Sequence, residues 1–270
     1  MKLFELRKQL KTEASQLDID QVDVDFIVSN VLNVKRTELA LVDTITDAQK
    51  KQILSAFEKR KQNIPVDNIF QKANFFGYEF KVDDNVLTPR PETEILVETA
   101  IKYIKENGYK NVLDLCTGSG CIAISIKKNV DVDITASDIS LKALQIAKQN
   151  AQSNKAEINF IKSNMFEKID GKFDIIVSNP PYIETCEIKD LDTEVREHDP
   201  ILALDGGEMG LKFYNIIHNN LRKHLNDNGM LIMEIGEEQK DMLISLFNDF
   251  NYVQCIKDYS GNDRIIVFKK

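Results

Sequence analysis

The chain has 270 residues, 43% of them hydrophobic and 29% charged, with a net charge of −8, a composition typical of a soluble globular protein with one or two domains. No apolar run approaches the ~18 residues that cross a bilayer, and the N-terminus alternates charge with leucine, unlike a secretory signal. The four cysteines form no Cys-x-x-Cys pair and the three histidines add no ligand spacing, so we expect a cytoplasmic protein with reduced thiols, no metal site and no membrane partner.

The negative charge is unevenly distributed. The first 80 residues hold 12 basic and 12 acidic side chains, so the whole excess lies in the remainder. A protein that follows a phosphate backbone usually carries a basic face. The charge balance therefore argues against a stable nucleic-acid partner.

Residues 1–74 are predicted to form a small helical domain. Apolar residues recur at intervals of three to four, which is typical of an amphipathic helix: Leu3, Leu6, Leu10, Ala14 and Leu17. A second stripe covers 23–32. Thr46 and Gln49 have the spacing of a capping box that opens a helix to about residue 60.

Residues 75–90 are predicted to form a β-hairpin that links this domain to a catalytic domain at 91–270. The strands are expected at 75–82 and 86–88, on either side of a polar Asp-Asp-Asn turn at 83–85. Pro91, followed by acidic residues, fits the first turn of a helix that runs to about residue 106.

Strands and helices then alternate. Strands are predicted at 112–116, 133–137, 158–162, 174–178 and 230–235, and helices at 120–128, 140–154, 211–225 and 239–250. Two final strands, at 252–257 and 264–268, follow each other in hairpin order. The pattern predicts an α/β fold with a mostly parallel, Rossmann-like sheet that is covered on both faces and has an antiparallel edge.

A glycine-rich turn follows the first strand of this alternating part, with the sequence Asp-Leu-Cys-Thr-Gly-Ser-Gly at 114–120. Gly118 and Gly120 would let the backbone approach a ligand at a helix N-terminus. A tight turn without a ligand would have the same sequence. The second strand ends at Asp138, which could bind ribose hydroxyls or cap the helix that starts near Ser140.

Two further residues are candidates for adenine contacts. Met165 and Phe166 follow the third strand, where an adenine ring would lie, although both could equally belong to the core. The glycines do not distinguish a nicotinamide cofactor from S-adenosylmethionine.

The segment Asn179-Pro180-Pro181-Tyr182 follows the fourth strand and decides the choice of chemistry. The prolines stop the strand because neither nitrogen can donate to a sheet. The Asn179 side-chain oxygen and the Pro180 carbonyl offer two adjacent acceptors, which suit a planar NH2 group, and Tyr182 offers a ring to stack on it. The alternative is a strand with a proline-rich loop. Asn-Pro-Pro-Tyr resembles the motif of methyltransferases that act on amino or amide nitrogen.

Nearly all of the chain resembles the bacterial HemK/PrmC methyltransferases, which methylate the glutamine of the Gly-Gly-Gln loop in class I peptide-chain release factors. Besides the two motifs above, the resemblance is carried by segments at 87–94, 196–200, 203–207, 234–239 and 263–264. It implies the S-adenosylmethionine-dependent methyltransferase fold, with seven strands, a helical N-terminal domain that recognises the substrate, and S-adenosylhomocysteine as product.

The resemblance also implies roles for individual residues. The predicted cofactor-binding residues are Cys116, Thr117, Gly118, Ser119, Gly120, Asp138, Met165, Phe166 and Asn179. Among them, Thr117, Gly118 and Gly120 would lie along the methionine part, Asp138 on the ribose and Met165 beside the adenine. The glutamine amide would be bound by Asn179, Pro180, Pro181 and Tyr182, of which Asn179, Pro180 and Tyr182 are the predicted catalytic residues.

The chain departs from the family pattern at two positions. Cys116 stands where glycine is frequent, and Met165 stands where an aromatic ring would stack better, which would weaken cofactor affinity without changing the reaction. Two other functions remain open from the sequence. One is adenine-N6 methylation of DNA or RNA, which also needs a site for a planar NH2 group, and the other is a non-catalytic interaction protein on the same fold.

Overall fold

The structure is a computed structural model that describes residues 1–270, and the chain divides into two compact units, Met1–Gln71 and Lys72–Lys270. The first unit ends slightly before the predicted limit of the helical domain at residue 74. The hairpin, which was predicted to be a linker, belongs to the second unit. None of the helices combines the length and the apolar character needed to cross a membrane.

The first unit is a helical bundle. Its α-helices are α1 (Leu3–Gln16), α2 (Gln21–Leu32), α3 (Asp47–Arg60) and α4 (Val66–Phe70), with a 3-10 helix at Arg36–Leu41. The predicted stripe on α1 is buried up to Ala14, but Leu17 is half exposed because α1 ends at Gln16. The capping box is confirmed: the Thr46 hydroxyl accepts from the amide of Gln49, whose side chain accepts from the amide of Thr46.

The hairpin lies earlier than predicted. Strand β1 (Lys72–Phe75) pairs with β2 (Tyr78–Lys81) around a two-residue turn at Phe76 and Gly77. Both turn residues have positive φ, 51° and 79°, which matches the twist of paired strands. Residues 83–86 do form a turn, in which the Val86 amide donates to the Asp83 carbonyl over 3.1 Å and the Asp83 carboxylate accepts from the amide of Asn85, but no strand follows it at 86–88. The prediction was wrong because that local polar turn resembles a hairpin turn in sequence.

The rest of the second unit alternates strands with helices, as predicted. Its strands are β3 (Asn111–Leu115), β4 (Asp133–Asp138), β5 (Asn159–Lys162), β6 (Phe173–Ser178), β7 (Leu225–Glu234), β8 (Asn251–Lys257) and β9 (Asp263–Lys269). Its helices are α5 (Pro91–Asn107), α6 (Cys121–Asn129), α7 (Leu141–Ser153), α8 (Thr193–His198), α9 (Ile201–Leu204), α10 (Lys212–His224) and α11 (Lys240–Leu246).

The seven-stranded sheet has the order β5-β4-β3-β6-β7-β9-β8. Strands β3 to β7 are parallel, and β9 is antiparallel to both of its neighbours, β7 and β8. The predicted fold class is confirmed, with the antiparallel pairing confined to one edge. The strand order reverses between β3 and β6, and ligands of open α/β sheets bind at the carboxyl ends of the strands beside such a reversal.

Two apolar cores lie on opposite faces of this sheet. Successive strand residues point to opposite faces, so Val112 and Ile175 enter the core under α5 and α6, whereas Leu113 and Ile176 enter the core under α10 and α11. All four side chains have no exposed surface. Because both faces of these strands are buried, their sequences are continuous runs of β-branched residues and leucine instead of alternating apolar and polar residues.

Candidate active site

A cavity of about 360 Å³ lies at the carboxyl ends of β3, β4, β5 and β6. Its wall contains residues from the glycine-rich turn, the ends of β4 and β5, and the segment after β6. The predicted residues that line it are Cys116, Thr117, Gly118, Ser119, Asp138, Met165, Asn179 and Pro181. The topology thus brings most of the predicted cofactor residues and the key asparagine to one site.

The two glycines of the turn have different surroundings. Gly118 has φ of 53° and lines the cavity, and a Cβ built on it would meet no atom within 4 Å. Gly120 has φ of 81° and lies outside the cavity wall, where a Cβ would come within 3.1 Å of Ala147 on α7. Gly118 therefore leaves room for a ligand, whereas Gly120 allows α6 and α7 to pack closely.

A buried carboxylate supports the turn from below. The Thr117 hydroxyl donates to Asp114 over 2.6 Å, and the Thr117 amide donates to the Ser137 carbonyl over 2.9 Å. Asp114 has no exposed surface, and burial raises the pKa of its carboxyl to about 7. Asp114 is not among the residues predicted from the sequence to form the site. Its only sequence signal is an acidic residue within an otherwise apolar strand.

Asp138 holds the same turn from β4. One of its carboxylate oxygens accepts from the Gly118 amide over 2.9 Å, and the other accepts from the Ser140 amide over 2.8 Å. The cap of α7 is Ser140 itself, whose hydroxyl accepts from the amide of Ala143. Burial raises the pKa of Asp138. Because a carboxylate has about four acceptor sites, Asp138 can still bind hydroxyls that enter the cavity.

The structure separates the two candidates for an adenine contact. Met165 lines the cavity, with its sulfur 3.7 Å from the sulfur of Cys116. Phe166 lies outside the cavity wall and stacks on His224, with 4.9 Å between ring centroids. Cys116 has the left-handed φ of 62° that explains why glycine suits its position. These positions favour a ligand contact for Met165 and a core role for Phe166.

The segment after β6 presents only some of its residues to the cavity. Asn179 and Pro181 form part of the wall, whereas Pro180 and Tyr182 do not line the cavity. The Tyr182 hydroxyl donates to Glu234 over 3.3 Å, and burial raises its pKa further above the usual range. Tyr182 therefore supports the segment through Glu234, and its ring does not line the cavity; the stacking of this ring on a substrate amide stays a prediction.

Glu234, at the end of β7, joins two parts of this site. The side chain is 2% exposed, and the Thr93 hydroxyl of α5 donates to it over 2.6 Å. The Asn179 side-chain NH2 in turn donates to the Thr93 hydroxyl over 3.3 Å. Burial raises the pKa of Glu234 to about 6. Sequence reasoning did not assign Thr93 or Glu234 to the site.

Gln239 and two glycines fix the backbone at Tyr182. The Gln239 side-chain NH2 donates to the Tyr182 carbonyl over 2.9 Å, while its oxygen accepts from the Gly236 amide over 2.9 Å. A Cβ on Gly206 would lie 2.7 Å from the Cα of Tyr182. A Cβ on Gly210 would overlap the Tyr182 carbonyl oxygen. Side chains at these positions would displace the backbone at Tyr182.

We expect Gly210→Ala to lower the free energy of unfolding by about 2–5 kcal/mol, because it adds backbone strain to overpacking against a fixed carbonyl. Gly210 has φ of 66°. Urea unfolding of the purified variant measures the effect. The matched control is Gly171→Ala, because Gly171 has φ of 84° but a methyl group there would meet no atom within 4 Å. Equal losses for both variants would show that crowding at Tyr182 contributes nothing.

An ion pair between the buried Asp199 carboxylate and the partly exposed Arg90 guanidinium lies at one side of the cavity. Asp199 accepts from the Arg90 guanidinium and from the Thr88 amide, the latter over 3.3 Å. Arg90 and Pro200 both line the cavity. The pair therefore holds the loop before α5 against the start of α9 at the cavity wall.

Comparison with known proteins identifies the family. The sequence profile of the Methyltransferase small domain matches residues 91–210. The chain is 37% identical to the release factor glutamine methyltransferase of Agrobacterium fabrum, over 99% of this chain and 96% of the relative. It is 38% identical to the release factor glutamine methyltransferase of Thermodesulfovibrio yellowstonii, over 90% of each. The chain belongs to the release factor glutamine methyltransferase family. The resemblance found from the sequence motifs is thereby confirmed.

A solved structure supports the same fold. A methyltransferase from Pyrococcus furiosus superposes with a TM-score of 0.56 at 20% identity, over 79% of this chain and 98% of that one. Family membership makes the protein an S-adenosylmethionine-dependent methyltransferase.

Proposed function

We propose that the protein methylates the side-chain amide nitrogen of the glutamine in the Gly-Gly-Gln loop of class I peptide-chain release factors. The observation that carries this proposal is the position of Asn179, in the wall of the same cavity that Gly118 and Asp138 line. A methyl donor held by the turn and an amide held by Asn179 would then meet in one space. The names of the relatives support the choice of substrate.

The residues present fit S-adenosylmethionine. Gly118 leaves open space at the cavity wall, and Asp138 keeps free acceptor sites for ribose hydroxyls. Thr117 and Gly118 would lie along the methionine part, and Met165 would contact the adenine, where its thioether can pack on a ring. When bound, this cofactor supplies an electrophilic methyl group on a positively charged sulfur.

The protein's contribution is to position a weak nucleophile. The lone pair of an amide nitrogen is delocalised into its carbonyl, so the nitrogen attacks poorly. The Asn179 side-chain oxygen, in the cavity wall, would accept one N–H of the glutamine, which fixes the nitrogen and stabilises positive charge that develops on it. The adjacent Pro180 carbonyl is the proposed acceptor of the other N–H, and because Pro180 does not line the cavity, the glutamine would have to reach past the Asn179 side chain to meet it.

Asp138 is the only carboxylate in the cavity wall, and it is assigned to the ribose hydroxyls. No side chain is therefore proposed as a general base. The two acceptors position the nitrogen, the methyl group leaves the sulfonium as the N–C bond forms, and the amide proton passes to water.

Mass spectrometry tests this function directly. A class I release factor is incubated with the protein and S-adenosylmethionine, digested, and examined for the peptide that contains the Gly-Gly-Gln loop. We expect one added methyl group on the loop glutamine, and none when that glutamine is replaced by asparagine. An unmodified loop peptide, or a methyl group on another residue, would reject the proposed substrate.

We further propose that the helical unit recognises the release factor. The residues that line the cavity all come from the second unit, and the first 80 residues are neutral overall. The fragment 72–270, which contains both sheet cores, is expected to bind S-adenosylmethionine with unchanged affinity but to methylate the intact factor at least ~10-fold more slowly, as loss of substrate-positioning contacts implies. Steady-state kinetics measures the rate, and circular dichroism verifies the fold.

A short Gly-Gly-Gln peptide is the matched control substrate for this fragment. The peptide offers no surface for the helical unit, so the fragment and the full chain should methylate it at similar rates. If the fragment methylates the intact factor as fast as the full chain does, the helical unit does not recognise the release factor.

A further inference from the structure

The buried side chain of Glu234 lies behind the cavity and is bonded on both oxygens. Thr93 donates to one oxygen over 2.6 Å, and Tyr182 donates to the other over 3.3 Å. Glu234 itself does not line the cavity, whereas Thr93 and Asn179 do. The reaction proposed above uses neither Glu234 nor Thr93.

The direction of these hydrogen bonds determines the orientation of the Asn179 amide. A threonine hydroxyl has a single proton, and Thr93 donates it to Glu234. The Thr93 oxygen can therefore only accept from Asn179, and only the side-chain NH2 of Asn179 can donate. The Asn179 oxygen is then left as the acceptor on the cavity side.

We propose that Glu234 and Thr93 are positioning residues that orient the Asn179 amide so that the cavity presents an acceptor, and not a donor, to a substrate NH2 group. This inference rests on the proposed function and adds a specificity device to it. With the amide turned over, the NH2 of Asn179 would face the NH2 of the substrate, and two donors cannot pair. This chain of hydrogen bonds, the Glu234–Thr93–Asn179 relay, therefore selects substrates that present a planar NH2 group over those that present a carbonyl oxygen, which can only accept.

The charge of Glu234 fixes the direction of the relay. An ionised carboxylate only accepts, so Thr93 must donate to it. A protonated Glu234 could donate to Thr93, which would then donate to the Asn179 oxygen and reverse the relay. The groups that face Glu234 are Thr93 and Glu92 on α5, Cys121 on α6, Tyr182, Tyr214 on α10, and Arg264 on β9.

The pH dependence follows from these groups. Burial raises the pKa of Glu234 to about 6, against the opposing effects of Thr93, Arg264 and Tyr182. The relay needs the ionised form, so the rate is full above this pKa and falls as the pH drops through about 6. Asp114 also titrates, at about 7, but its contact with Thr117 is independent of Thr93.

Three substitutions in the full-length protein test the relay. Thr93→Val keeps the shape and removes the hydroxyl, Thr93→Ser restores a hydroxyl, and Thr99→Val makes the same change further along α5. Thr99 is a matched control because it is buried and its hydroxyl donates only within the helix, to the Ile95 carbonyl. Kinetics with the intact release factor gives kcat and KM, and calorimetry gives the affinity for S-adenosylmethionine.

We expect Thr93→Val to lower kcat by about 10-fold or more, since the Asn179 NH2 loses its acceptor and the amide is free to turn. Its affinity for S-adenosylmethionine should not change, and its rate should no longer fall as the pH drops through about 6. Thr93→Ser should recover most of kcat and the fall of the rate below about pH 6. Thr99→Val should behave as the wild type. A Thr93→Val enzyme with wild-type kcat, or a Thr93→Ser enzyme as slow as Thr93→Val, would overturn the inference.

A second measurement needs no substrate. The side-chain NH2 of Asn179 gives a nitrogen–proton NMR signal, assigned by its loss in Asn179→Ala. We expect it to shift in Thr93→Val and on titration through about pH 6, but not in Thr99→Val. A signal that responds in neither case rejects the relay. If the signal responds while the wild type leaves the release factor unmethylated, the proposed function fails and the positioning role stands.

Discussion

Asn179→Ala is expected to lower the rate of glutamine methylation by at least ~100-fold while the protein still binds S-adenosylmethionine. The substitution leaves an N–H of the substrate amide without an acceptor in a closed site, which costs about 1–3 kcal/mol, and the displaced nitrogen loses further rate through misorientation. The contacts of Asp138 with Gly118 and Ser140 do not involve Asn179. Single-turnover kinetics measures the methylation rate, and calorimetry measures the affinity for S-adenosylmethionine.

The control for this variant is Asn219→Ala, on an exposed position of α10, which should keep the wild-type rate. Both proteins are assayed with a Gly-Gly-Gln protein and with duplex DNA, because an adenine NH2 could occupy the same acceptors. The wild type should methylate only the protein. A retained rate in Asn179→Ala, or a preference for DNA, would show that the amide mechanism is wrong.

Asp138→Ala is expected to weaken S-adenosylmethionine binding by roughly 10- to 150-fold, the equivalent of losing a charge-assisted hydrogen bond. Turnover at saturating cofactor should change far less, since Asp138 lies away from the segment that holds the amide. Its two backbone contacts, to Gly118 and Ser140, mean that the glycine-rich turn also loses an anchor. Calorimetric titration measures the affinity.

Asp133→Ala provides the comparison, because Asp133 begins the same strand but is exposed at the opposite end. It should bind S-adenosylmethionine like the wild type. An unchanged affinity in Asp138→Ala would remove Asp138 from the cofactor site and leave it only the role of holding the turn.

The fold could be predicted where local sequence and burial agree. Strands β3 and β6 are buried on both faces, so their apolar runs are unambiguous, and the helices between the strands carry clear apolar stripes. The hairpin is not predictable in this way, because the polar run at 83–85 has the sequence of a hairpin turn, whereas the turn lies at Phe76 and Gly77, which have positive φ. A phenylalanine in a left-handed conformation has no local sequence signal.

The candidate site was predictable where a residue's position along a strand decides its role. Asp138 and Asn179 follow parallel strands, so they meet at one edge of the sheet. Thr93 and Glu234 could not be found in this way, because their contact joins residues 141 positions apart and depends on how α5 packs on β7. Gly120 and Phe166 were assigned to a ligand by their neighbours in sequence, yet both face packing partners, Ala147 and His224.

The position of β9 in the sheet has a consequence for synthesis on the ribosome. Strand β9 is inserted between β7 and β8, so β8 has no neighbour in the sheet other than a strand made after it. Until residues 263–269 have left the exit tunnel, β7 keeps an unpaired edge, which is a template for association with another chain. During synthesis, another chain could therefore pair with β7 in the interval after β8 is made and before residues 263–269 emerge.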